Sequence, residues 1–180
     1  MWTRKILVPL IILVTSQVIL GALTFGLTAL LVDPAWITST FVDEMFLRTQ
    51  TPQILLTLTE DIQYGLRDAG LITHAIAIGG ALLWLAYSAV SSPYMPTQAK
   101  GRMIVWGLIF TAGLALASAQ FVRTYMLEGA FSNMRPDRLP LICLGLLSLY
   151  FVSFYLLGTL IATRRTLRTA VPLAAQLFNR

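Results

Sequence analysis

Side chains suited to catalysis or metal binding are few and scattered in this sequence of 180 residues. It contains one histidine, His74, and one cysteine, Cys143, so the chain alone cannot supply a bis-histidine haem site or an intrachain disulfide. No group of His, Cys, Asp or Glu has metal-ligand spacing, and there is neither a Gly-x-Ser-x-Gly elbow nor a glycine-rich phosphate loop. We therefore expect a protein that is not an enzyme and uses no cofactor or metal.

Two polar side chains interrupt long apolar stretches. His74 would be a proton relay, a cofactor ligand or a pH sensor in a functional interpretation, and a hydrogen-bonded partner of a neighbouring helix in a structural one. Gln17, beside Thr15 and Ser16, would bind substrate, line a pore, or form an interhelical hydrogen bond worth about 0.6–2 kcal/mol. We favour the structural interpretation for both residues.

The apolar residues are clustered into four long runs. The chain is 57% hydrophobic and 12% charged, with a mean hydropathy of +0.75. The runs 6–32, 69–91, 103–122 and 139–162 contain no Lys, Arg, Asp or Glu, and each is near the ~20 residues that cross a bilayer. Spanning segments of this kind must be helices because hydrocarbon leaves no other partner for their backbone groups. The sequence predicts an all-α membrane protein, a single domain with four transmembrane helices.

The charged residues predict an orientation. The N-terminal segment, the short loop between the second and third spans and the tail 163–180 carry eight basic residues and no acidic ones. All eight acidic residues lie in the other two loops. Lys and Arg are retained on the cytoplasmic side, so we predict a multi-pass protein of the cytoplasmic (inner or plasma) membrane with both termini cytoplasmic. Arg164, Arg165 and Arg168 would bind anionic lipid headgroups there. We expect no nucleic-acid partner.

The first outer loop, residues 33–68, has 36 residues, which is too long for a structureless turn. We expect two short helices, one starting near Asp33-Pro34 and an amphipathic one from Pro52 that is able to continue into the second span. The acidic pairs Asp43–Glu44 and Glu60–Asp61 are candidates for binding a basic partner. Solvated helix faces produce the same pattern.

Small residues at four-residue spacing recur in three spans and predict close helix packing. They are Gly107, Thr111, Ala115 and Ala119 in the third span, Ala22 and Gly26 in the first, and Ala75 and Gly79 in the second. We favour packing within the chain over contact with another protein. The fourth span instead carries rings, and Trp2, Trp84 and Trp106 are expected at the cytoplasmic interface with Trp36 at the outer one.

These observations favour a non-enzymatic subunit or assembly factor of a larger membrane complex, whose partners are other membrane proteins and the lipid bilayer. The alternative is a membrane immunity-type protein that blocks a pore-forming toxin, which would have a similar size, topology and long outer loop. A third hypothesis is a small channel or transporter formed by oligomers. That function would need a polar stripe, and only Gln17 with its neighbours and His74 hint at one.

Overall fold

In the computed structural model, the chain is described over residues 2–31, 52–90, 99–127 and 139–162. These residues form α1 (Trp2–Leu31), α2 (Pro52–Val90), α3 (Ala99–Phe121) and α4 (Leu139–Ala162). A π-helical segment, Val122–Leu127, continues α3. No strand occurs in these four ranges, so the all-helical prediction is confirmed for the described part of the chain.

Three helical stretches are long and apolar enough to cross a membrane: Gln63–Ser88 in α2, Gly101–Thr124 in α3 with its π segment, and Leu141–Leu160 in α4. They coincide with the second, third and fourth predicted spans. The first predicted span falls on α1, which has 30 residues, and its described side chains give the shorter apolar stretch Leu10–Ala22.

Helix α2 is a single helix of 39 residues. At 1.5 Å per residue it is about 58 Å long, nearly twice the ~30 Å hydrocarbon thickness. The expected continuation of the amphipathic helix from Pro52 into the second span is therefore present. The predicted second span, residues 69–91, begins within this helix after Arg67 and Asp68, so residues 52–68 of the helix precede it. The predicted helix near Asp33-Pro34 lies outside the described residues.

Contacts between helices establish their directions. Leu13 shares a buried cluster with Ala81, and Gly21 lies against His74, so α1 and α2 are antiparallel. In α2 and α4, His74 contacts Tyr150 and the later residue Gly80 contacts the later residue Tyr155. Helices α2 and α4 are therefore parallel. Helix α3 runs opposite to both. Helix α4 packs against all three others, and α1 and α3 both flank the α2–α4 pair.

An aromatic core fills the region between α2, α3 and α4. The Trp106 and Phe110 rings stack with centroids 5.4 Å apart, and the Phe151 and Tyr155 rings stack at 5.8 Å. Tyr155 donates its hydroxyl to the Trp106 carbonyl at 3.2 Å, and the Trp106 indole donates to Thr159 Oγ1 at 3.1 Å. These bonds satisfy polar groups that apolar surroundings would otherwise leave unpaired.

Two of the tryptophans expected at the cytoplasmic interface are buried within the bundle. Trp84 is 1% exposed and Trp106 is 7% exposed. Burial between helices does not fix the depth of a side chain in a bilayer, so the interfacial position of both stays a prediction. Trp36 lies outside the described residues.

The positions of the small residues correct the expectation that these residues mediate packing within the chain. Thr111, Ala115 and Ala119 are exposed on the outside of the described bundle, and a Cβ added at Gly107 would meet nothing within 4 Å. Similarly, Ala22 and Ala75 are exposed and Gly79 borders open space, while Gly26 lies outside the residues whose burial is described. The favoured interpretation of packing within the chain is therefore corrected for these positions. Contact with another protein stays a prediction.

Close packing instead uses two other glycines. A Cβ at Gly80 would lie 2.9 Å from Tyr155 Cε2, and a Cβ at Gly113 would lie 2.7 Å from Phe151 Cζ. Both rings are fully buried. Each glycine thus forms the hole that receives one α4 ring, which is how small residues bring membrane helices together.

Candidate functional site

Gln17 and His74, the two polar residues that stood out in the sequence, meet where α1, α2 and α4 come together. The Gln17 side chain is 1% exposed. Its Nε2 donates to the Phe154 carbonyl of α4 at 3.2 Å. An amide at this depth needs such a partner because apolar surroundings offer none. Gln17 therefore joins α1 to α4.

His74 connects the same three helices from the α2 side. Its ring hydrogen-bonds to the backbone of Gln17 in α1, and its Nδ1 lies 3.4 Å from the Tyr150 hydroxyl of α4. A neutral ring protonated on Nε2 satisfies both contacts, donating to the Gln17 carbonyl and accepting from Tyr150. The Phe154 ring meets the imidazole edge to face, with centroids 4.4 Å apart. We call these four residues, Gln17, His74, Tyr150 and Phe154, the polar cluster.

Two glycines give the polar cluster its space. A Cβ at Gly21 would lie 3.1 Å from His74 Nε2, so glycine lets the imidazole approach the α1 backbone. A Cβ at Gly158 would lie 2.8 Å from Gln17 Nε2 and 3.2 Å from the Ala81 methyl. The close approach of three helices and the hydrogen bonds between them therefore depend on the same two positions.

The chemistry available to the polar cluster is hydrogen bonding between helices. It holds a neutral amide, an imidazole and a phenol, and no carboxylate. Among the described residues, no group of three or more His, Cys, Asp or Glu side chains lies close enough together to hold a metal ion. The geometry thus agrees with a role in helix association, the structural interpretation favoured for Gln17 and His74.

The other sequence-predicted site residues are not drawn into this cluster. Glu60 is exposed on the part of α2 beyond its apolar stretch. The Asp61 side chain, the Asp43–Glu44 pair and the headgroup-binding residues Arg164, Arg165 and Arg168 lie outside the described residues.

Sequence reasoning missed the partners of Gln17 and His74. Tyr150 stood out only as one ring among several in the fourth span, and Gly158 carried no signal of its own. Gly21 precedes Ala22, so attention to four-residue spacing selected the neighbouring position.

Comparison with protein-family models, curated proteins and solved structures gives no match. The function is therefore argued from the geometry of this chain.

Two substitutions of Gln17 test whether its amide stabilises the bundle by donating a hydrogen bond to α4. We expect Gln17→Met, which keeps the volume, to cost about 1 kcal/mol, because one interhelical hydrogen bond is lost while the backbone partner of His74 remains. Gln17→Glu should cost about 2–3 kcal/mol, since it buries a carboxylate that faces the Phe154 carbonyl. The free energy of unfolding in mixed detergent–SDS micelles measures both. Equal losses would contradict the assignment of the amide as a donor to α4.

Proposed function

We propose that this chain is a non-enzymatic subunit or accessory factor of a larger complex in the cytoplasmic membrane, and that it acts through its outer surface. The observation that supports this proposal is that side chains fill the interior of the described bundle. Trp84, Phe151 and Tyr155 occupy the space between α2, α3 and α4, and each is at most 1% exposed. A bundle filled in this way offers its surface as the place to act.

Several interior polar groups support the proposal because they bond to neighbouring helices of the same chain, although Gln17 Oε1 is buried without a hydrogen-bond partner. Gln17 and His74 bond to neighbouring helices, and Trp106 bonds to Thr159. A solute pathway through one chain needs polar groups that face an opening, whereas these groups face partner helices. A small depression between α3 and α4 is lined by Leu114, Ala117, Ser118, Leu144, Leu147 and Ser148.

The outer surface supplies the candidate contacts. Thr111, Ala115 and Ala119 form a row of small side chains on the outside of α3, where a partner helix is able to approach closely. Glu60 adds an exposed acidic group near the N-terminal end of α2, where it would attract a basic partner in a salt-dependent way. Partners of this description are other membrane proteins.

Purification in lipid nanodiscs, with identification of whatever co-purifies, tests the proposal. We expect a stoichiometric membrane-protein partner that is retained through washing. Recovery of a pore-forming toxin in place of a membrane complex would instead establish the immunity function. An isolated chain that moves ions or solutes across liposomes would overturn the proposal in favour of a channel or transporter.

We propose further that the chain crosses the membrane four times with both termini in the cytoplasm. Support comes from the eight basic residues on one side and from the alternating directions of α1 to α4. Cysteines introduced as Thr49→Cys and Ser132→Cys should react with an impermeant thiol reagent in intact cells, while a tag beside Lys100 should be inaccessible. Labelling of Thr49→Cys only after the cytoplasmic face is opened would reverse the orientation.

The surface of α3 provides a test at the level of one side chain. Ala115→Leu adds bulk to an outward position, so we expect recovery of the partner to fall several-fold while the stability of the isolated chain stays unchanged. The matched control is Leu149→Phe, which adds bulk at a position of α4 that is 64% exposed. Equal recovery from both variants would mean that the α3 row faces lipid.

A further inference from the structure

We draw no further inference here: the strongest candidate, the outward-facing row of small residues on α3 from Gly107 to Ala119, is a small-residue stripe without a second observation beside it, and nothing in the structure shows what covers it.

Discussion

Replacing Gly80 with alanine should destabilise the bundle by about 1–3 kcal/mol, the usual cost of overpacking a filled core. The new methyl group would lie 2.9 Å from Tyr155 Cε2 and 3.1 Å from Cδ2. The ring has no room to retreat, because it is fully buried, stacks on Phe151 and is held by its bond to the Trp106 carbonyl. Helices α2 and α4 would therefore have to separate.

The adjacent glycine is the matched control. A methyl group at Gly79 meets nothing within 4 Å. Alanine is favoured over glycine inside a helix by up to about 1 kcal/mol, so Gly79→Ala should be neutral or mildly stabilising. SDS titration of both variants gives the free energies of unfolding. Equal effects at the two positions would contradict the conclusion that Gly80 forms the hole that receives the Tyr155 ring.

The contrast between these neighbours marks what the sequence was able to predict. The helical class and the positions of three helices that are long and apolar enough to cross a membrane follow from the length and charge-free character of the apolar runs. The same features do not predict which face of each helix packs inward. A helix that is apolar on all sides has no polar face to orient it. On α3 the row Gly107–Thr111–Ala115–Ala119 lies on the outside, whereas Gly113 and Ala117, which are also small and four residues apart, face the core.

The candidate site was also predictable from the sequence only in part. Residue type was enough to select Gln17 and His74, because a polar side chain in apolar surroundings must find a partner. It did not reveal that the two share one cluster, since that depends on how α1 and α2 are aligned and rotated against α4. Gly21 and Gly158 acquire their meaning only from the atoms that a side chain there would meet.

The second large effect should arise between α3 and α4. We expect Gly113→Ala to cost about 1–3 kcal/mol, because its methyl group would lie 2.7 Å from Phe151 Cζ. Phe151 is fully buried, and its ring packs against Phe110 at 5.8 Å as well as stacking on Tyr155. Gly107→Ala on the same helix meets nothing within 4 Å and should be neutral.

A double variant determines whether this loss comes from the Phe151 ring or from strain elsewhere in α3. Phe151→Leu removes the ring edge that faces Gly113 and should cost about 1–2 kcal/mol through the cavity it leaves. Adding Gly113→Ala places a methyl group in that cavity, so the double variant should be at least ~1 kcal/mol more stable than the sum of the single losses predicts. The pairing of Gly107→Ala with Phe151→Leu should be additive, because residue 107 contacts no part of the ring. Additive losses for Gly113→Ala and Phe151→Leu would mean that the methyl group disturbs something other than Phe151, and the description of Gly113 as the hole that receives this ring would be wrong.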